Sequence, residues 1–109
     1  MHQLADGISH VCLNGRLDAT GTATIEHAFS AMTCNAPGKI IVDLSRVSFL
    51  SSIGIRLLLA AAKAQAANGG ALVLAAPQPL VRKVLEVAGI DLLVALVDNL
   101  HAAQARLAE

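Results

Sequence analysis

Two continuous apolar runs, Ile40-Ile41-Val42 and Ala71 to Ala75, constrain the fold of this chain most strongly. Turn-forming residues precede each run: Asn35-Ala36-Pro37-Gly38 before the first and Asn68-Gly69-Gly70 before the second. Short apolar runs without alternation are typical of strands that are covered on both faces. The segment between them, Ile53 to Ala67, has the length of a helix of about four turns. The sequence therefore predicts a β-α-β unit with parallel strands.

The remaining elements follow from the same periodicities. Strands are predicted at Ile8 to Asn14, Lys39 to Leu44, Ala71 to Ala75 and Leu93 to Val97, with Met1 to Leu4 as a short edge strand. Helices are predicted at Thr22 to Met32, at Ile53 to Ala67, from Pro77 and Pro79 to Gly89, and from Asn99 to Leu107, with Ser45 to Ser51 as a connection. This order predicts an α/β fold in one domain, residues 1–109. We expect a central, mostly parallel sheet of about four strands with helices packed against it.

Charge and aromatic content exclude some classes of partner. Eight basic and eight acidic residues are scattered along the chain, so the formal net charge is zero and no basic stripe appears. Trp and Tyr are absent, which removes the stacking platforms used to bind single strands. We therefore expect no nucleic-acid partner. The apolar content of 55% predicts a packed core and leaves a homodimer open.

The sequence also bears on location. The N-terminal residues Met-His-Gln-Leu-Ala-Asp-Gly lack the positive segment and apolar segment of a signal peptide. No uninterrupted apolar run reaches membrane-spanning length. We expect a soluble, cytoplasmic protein without direct membrane insertion.

Residues that could carry chemistry are few. Cys12 and Cys34 are expected to be free thiols, with the one in the strand, Cys12, buried. The histidines are far apart in the sequence and are interpreted as surface residues, so no metal site is expected; they are His2, His10, His27 and His101. Asp43 is the only carboxylate at the end of a strongly buried strand, where α/β sites lie. Without a partner acid, nucleophile or metal ligand, its expected role is to order the loop.

No catalytic or cofactor motif is present. The chain has no Gly-x-Gly-x-x-Gly, no Walker-type Gly-Lys-Ser/Thr, no His-Glu-x-x-His, no Cys-x-x-Cys and no Gly-x-Ser-x-Gly. We therefore expect a binding protein without a cofactor and not an enzyme.

The segment Phe49 to Arg56 carries the clearest candidate site. Ser51 and Ser52 stand at the start of a helix, where unpaired N–H groups and the positive end of the dipole lie. Ser52 is predicted to be the N-cap. Gly54 has no β-carbon and would let another backbone approach closely.

The faces of this helix give two alternatives. Ile55, Leu58, Leu59, Ala62 and Ala66 are predicted to face the core. The opposite face would then consist of Leu57, Ala61, Ala64 and Asn68, flanked by Arg56 and Lys63. Such a face is either a docking surface for a partner or a helix face that is itself buried or occupied by ordinary surface alanines.

Five segments together resemble a STAS domain of the anti-sigma factor antagonist type, from about Leu13 to Leu107. The segments are Asn14-Gly15-Arg16-Leu17-Asp18-Ala19, Ile40-Ile41-Val42-Asp43-Leu44-Ser45, Phe49-Leu50-Ser51-Ser52-Ile53-Gly54-Ile55, Gly69-Gly70-Ala71-Leu72-Val73-Leu74 and Val81 to Ile90. Their order and spacing along the chain carry the resemblance. The usual phosphorylation motif, Asp-Ser-Ser/Thr-Gly, is altered here, because Ser51 replaces the Asp and Ile53 replaces the second hydroxyl residue.

The resemblance implies partner switching. The unphosphorylated protein would bind an anti-sigma factor that is a serine kinase and release a sigma factor; phosphorylation on Ser52 would end the binding, and a PP2C-type phosphatase would restore it. The partner-binding residues that it implies are Gly15, Asp43, Ser51, Ser52, Ile53, Gly54, Arg56, Leu57, Ala61 and Ala64. The alternative is a STAS subunit that docks in a lipid-transport ABC complex or a signalling scaffold without phosphorylation.

Overall fold

The computed structural model describes residues 2–3, 7–34 and 38–108, with side chains for residues 7–33 and 38–108. Its strands are β1 (His2–Gln3), β2 (Ile8–Leu17), β3 (Lys39–Leu50), β4 (Ala71–Ala75) and β5 (Ala95–Val97). Its helices are α1 (Ala19–Cys34), α2 (Ser52–Ala67), α3 (Pro79–Val87) and α4 (Leu100–Leu107), with a 3-10 turn at Ile90–Leu92.

The strands form one sheet in the order β1-β2-β3-β4-β5. Strands β2 to β5 are parallel, and β1 pairs antiparallel with β2 at the edge. The predicted α/β fold with a mostly parallel sheet is confirmed, including the short edge strand. Side chains cap the starts of two helices: Asp18 Oδ1 accepts a hydrogen bond from Gly21 N at 2.8 Å, and Asn99 Oδ1 accepts one from Ala102 N at 2.7 Å.

The two faces of the sheet are covered unequally. Helices α1, α2 and α3 cover one face over the larger apolar cluster, which includes Val11, Phe29, Leu58, Leu74 and Leu85. Helix α4 covers part of the other face over a smaller cluster of Ile8, Ile41, Val73, Ala75, Ala103 and Leu107. The second face is therefore open beside α4.

Strand β3 is longer than predicted. The expected connection from Ser45 to Ser51 is wrong, because the strand continues to Leu50. Its buried residues Leu44, Val47 and Leu50 recur every third position, which hides the alternation by which a strand is recognised. Bulges explain this spacing: the register shifts between Cys12 and Asn14 and again between Gly15 and Arg16, with β3 using more residues than β2.

The orientation of α2 also differs from the prediction. Leu57 and Ala61 are buried in the core, whereas Ala66 is exposed. The residues that α2 buries are Gly54, Leu57, Leu58, Ala61 and Gln65. The predicted outer face is therefore wrong at Leu57 and Ala61, because the buried stripe is rotated toward them. In α3, Val81 and Leu85 face inward as predicted, whereas Val84 and Ala88 are exposed.

Gln65 is a fully buried polar side chain that connects three segments. Its Oε1 accepts a hydrogen bond from Gly38 N at 3.0 Å, and its Nε2 donates one to Thr33 O. These bonds join the end of α1 and the start of β3 to α2.

Gln65→Leu is expected to lower the free energy of unfolding by about 2 kcal/mol. The leucine would fill the space but leave the Gly38 N–H and the Thr33 carbonyl without their partner, and each such buried group costs about 1–3 kcal/mol. Urea denaturation of both proteins measures the difference. The control is Gln104→Leu, at a half-buried position on α4, where we expect a change within about 0.5 kcal/mol. If Gln65→Leu were as stable as the parent chain, the two hydrogen bonds assigned to the Gln65 side chain would be contradicted.

Candidate functional site

The junction between β3 and α2 holds the two adjacent serines in different roles. Ser51, not Ser52, is the N-cap, because its Oγ accepts a hydrogen bond from Gly54 N at 3.3 Å. The Ser51 hydroxyl also donates to Leu17 O at 2.7 Å, and Ser51 N donates to the same carbonyl at 3.0 Å. Ser51 therefore fixes the start of α2 to the end of β2.

Ser52 is the first residue of α2, and its side chain is exposed. In the described part of the chain, no group forms a hydrogen bond with its hydroxyl. The first-turn amides of a helix lack intrahelical acceptors and carry the positive end of the helix dipole. An added phosphate at Ser52 would lie beside these groups, so the position can accept negative charge without loss of the fold.

Gly54 serves the packing of this junction and not the approach of a partner. It is buried, and a β-carbon on it would lie 2.9 Å from Leu17 O and 2.8 Å from Leu50 Cδ1. The close approach that was predicted for another backbone is thus made by β2 of the same chain. Because Gly54 is buried, it cannot contact a partner as the sequence had predicted.

An apolar groove of about 170 Å³ lies between the end of β3 and α3, immediately before the two serines in the chain. Phe49, Leu80 and Val84 expose 40%, 76% and 36% of their surface there. The Arg16 guanidinium lies 4.5 Å from the centre of the Phe49 ring. Sequence reasoning missed this groove because it depends on how α3 packs against β3.

The surface of α2 next to Ser52 is smaller than predicted. Ile53 and Arg56 are exposed, and Ala64 is partly buried. Leu57 and Ala61 expose only 8% and 1% of their surface, so they cannot line a docking face in this conformation. A partner-binding role for the accessible residues stays a prediction.

Gly15 and Asp43 lie on β2 and β3, at different distances from Ser52. Gly15 is exposed, has a φ of 82° and pairs with Val47, three residues before the end of β3. Asp43 is seven residues before that end, roughly 23 Å along an extended strand. The prediction that Asp43 ends its strand is therefore wrong, and it is not beside the serines.

Asp43 belongs to a polar cluster on the open face of the sheet. Its Oδ1 accepts a hydrogen bond from Ser45 N at 2.9 Å, and its Oδ2 lies 2.8 Å from His10 Nε2. Burial raises the pKa of the Asp43 carboxyl, but its hydrogen bonds with Ser45 and His10 lower that pKa by a larger amount. The pKa of Asp43 therefore lies below its usual range. The carboxylate therefore stays ionised and orders the local backbone, as was predicted for it.

The same cluster corrects two further predictions. His10 is not a surface residue, since its side chain is only 13% exposed, and Cys12 is exposed instead of buried. His27 and His101 are exposed as predicted, whereas the side chains of His2 and Cys34 lie outside the described residues. The sequence carried one signal for this cluster: residues two apart in a strand point to the same face.

Among the described residues, no helix has both the length and the apolar character needed to cross a bilayer.

Comparisons with known proteins agree with this architecture. A family model described as "Mlab, STAS domain" matches residues 1–107. BtrV of Bordetella bronchiseptica, named provisionally as an anti-sigma factor antagonist, is 30% identical over 100 residues, which cover 92% of this chain and 86% of the relative. RsfB of Mycobacterium tuberculosis, an anti-sigma-F factor antagonist, is 27% identical over 100 residues, which cover 90% of this chain and 80% of the relative.

A solved structure of an anti-sigma factor antagonist is also similar to this chain. The crystal structure of an anti-sigma factor antagonist from Mycobacterium paratuberculosis is 27% identical and superposes with a TM-score of 0.87, covering 98% of this chain and 91% of that one. Since the family model spans nearly the whole chain and the relatives match over most of their length, this chain belongs to the STAS domain family.

Proposed function

We propose that this protein is an anti-sigma factor antagonist that works by partner switching. In its unphosphorylated form it binds an anti-sigma factor with serine-kinase activity and thereby releases a sigma factor. The names of BtrV and RsfB support this role. The proposed role requires binding only, with no turnover by this chain, and it operates in the cytoplasm.

The single observation that carries the switch is the position of Ser52. Its hydroxyl is exposed at the first turn of α2, three residues after the half-exposed Phe49. A kinase can therefore reach the hydroxyl while the same surface is available for docking. Phosphorylation adds about −1.5 to −2 units of charge and three acceptor oxygens at this point.

The physical consequences of that charge differ for the fold and for the complex. The helix N-terminus stabilises the phosphate, so the free protein keeps its structure. In a docked complex the phosphate loses water beside the apolar groove and Ile53, which is costly for a charged group. Fold retained and binding lost is the behaviour that a switch requires, and a PP2C-type phosphatase would reverse it.

The presence of Ser51 instead of an Asp supports the alternative function, in which the domain docks without being phosphorylated. Ser51 occupies the place of the usual Asp, and its hydroxyl is already held by Leu17 O. Without that carboxylate, the domain could instead dock as a STAS subunit on a lipid-transport ABC complex or a signalling scaffold, without modification.

Capture of the tagged protein from its own cells, with mass spectrometry of partners and phosphosites, separates the two functions. We expect a partner with a serine-kinase ATPase domain and phosphate on Ser52, lost in Ser52→Ala and kept in Ser48→Ala, which removes an exposed hydroxyl four residues earlier. Phosphate on another residue would overturn the assignment of Ser52. Transporter subunits together with an unmodified Ser52 would establish the alternative.

A further inference from the structure

We propose that His10, Cys12 and Asp43 form a binding site for a divalent transition metal ion, with Zn²⁺ as the expected ion. The site is separate from the serines and does not depend on the proposed function. The sequence alone predicted no metal site, because Asp43 lies 31 residues after Cys12 in the chain.

The sheet brings these residues together. His10 and Cys12 are two apart on β2, so their side chains project from the same face. Cys12 pairs with Asp43 in the parallel register of β2 and β3. All three lie on the second face of the sheet, beyond the part that α4 covers, and they line one cavity with Asn14, Ser45 and Arg46.

The distances between the ligand atoms fit one tetrahedral ion. Cys12 Sγ lies 3.5 Å from His10 Nε2 and 3.7 Å from Asp43 Oδ2, and His10 Nε2 lies 2.8 Å from Asp43 Oδ2. Zn²⁺ bonded to S, N and O at its usual lengths places these atoms about 3.4–3.6 Å apart. The two distances that involve Cys12 Sγ already match these values. The distance between His10 Nε2 and Asp43 Oδ2 would have to increase by about 0.6 Å.

The donor set is one that zinc prefers. Thiolate, imidazole and carboxylate are its three common protein ligands. Binding replaces the shared hydrogen bonds of the cluster. The Cys12 thiol proton passes to solvent as the sulfur–metal bond forms, and His10 binds through Nε2 without its proton, as a neutral imidazole that carries its one hydrogen on Nδ1. The Asp43 carboxylate is oriented by Ser45 N, an outer contact that holds the ligand in place.

The exposure of the cluster leaves room for a fourth ligand. His10 and Asp43 are 13% and 15% exposed, while Cys12 is on the open side of the cluster. Three protein ligands plus an open position filled by water are the arrangement of non-structural zinc sites. The two anionic ligands offset the charge of the ion in a cavity that Arg46 also lines.

Titration of the tag-free, chelator-treated full chain with Co²⁺ under a non-thiol reductant tests the proposal. We expect one equivalent to produce a thiolate-to-cobalt absorption band and tetrahedral d–d bands, both of which Zn²⁺ abolishes by competition. Cys12→Ser should remove the charge-transfer band and weaken binding by at least about 100-fold, the upper limit for loss of an outer contact.

Matched variants distinguish this cluster from adventitious binding. His10→Gln and Asp43→Asn should also weaken binding, whereas Cys34→Ser, His27→Gln and Asp91→Asn should leave it unchanged. Because Cys12 is exposed, Cys12→Ser should keep the circular dichroism spectrum of the parent and can decide the question alone. Absence of the charge-transfer band in the parent chain, or its survival in Cys12→Ser, would overturn the proposal.

Discussion

Gly21→Ala is expected to lower the free energy of unfolding by at least about 3 kcal/mol, the upper end of the usual cost of overpacking. A β-carbon at Gly21 would lie 1.9 Å from Arg16 O and 3.3 Å from Asp18 Oδ1. The carbonyl is backbone at the end of β2 and cannot rotate away. Asp18 Oδ1 also caps α1 through Gly21 N at 2.8 Å, so any shift of the helix weakens this hydrogen bond.

Chemical denaturation measures the loss of stability in Gly21→Ala, with Gly38→Ala as the control. A β-carbon at Gly38 meets nothing within 4 Å, and we expect its stability to stay within about 0.5 kcal/mol of the parent. A stability of Gly21→Ala equal to that of the control would mean that β2 and α1 do not approach as closely as described. Because Leu17 lies in this junction and holds Ser51, a loosened junction should also disturb the start of α2.

The fold could be predicted because its strongest signals are local. The apolar runs Ile40-Ile41-Val42 and Ala71 to Ala75, separated by a helix of the right length, leave a parallel β-α-β arrangement as the simplest solution. Gly89, with a φ of 74°, ends α3 as its position in the sequence indicated.

The orientation of α2 could not be predicted from its pattern. Eleven of its sixteen residues are Ile, Leu or Ala, so several faces are equally apolar and periodicity does not select one. The structure selects the face that carries Gly54 and Gln65. Gly54 permits the close approach to β2, and Gln65 is buried because it satisfies two backbone groups of other segments. Both reasons are tertiary contacts, which the sequence of the helix does not contain.

The candidate site was predicted in part for the same reason. Either of two adjacent serines can cap a helix, and the choice of Ser51 depends on Leu17, 34 residues earlier. The cluster around Asp43 depends on the register that pairs it with Cys12, 31 residues earlier. Contacts of this separation follow from strand pairing, whereas the exposed hydroxyl of Ser52 follows from its place at a helix start.

Ser52→Asp is expected to weaken binding to the anti-sigma partner by at least about 100-fold, which corresponds to about 2.7 kcal/mol. The carboxylate would stand next to Ile53 in the chain and three residues after Phe49, and these two apolar side chains expose 43% and 40% of their surface. An unpaired charge that loses water in such an interface costs several kcal/mol. Ser52→Ala removes the hydroxyl without adding charge, and we expect its affinity to match that of the parent chain.

The measurement is titration calorimetry with the kinase partner identified by capture, together with chemical denaturation of each variant. Ser52→Asp should unfold with the parent's stability within about 0.5 kcal/mol, because an acidic residue in the first turn suits the helix dipole. His101→Asp is the matched control: it places the same charge in the first turn of α4, at an exposed position on the opposite side of the sheet. If it weakened binding as much as Ser52→Asp, the effect would be general electrostatics. If Ser52→Asp bound as tightly as Ser52→Ala while folded, the surface around Ser52 would not be the switch.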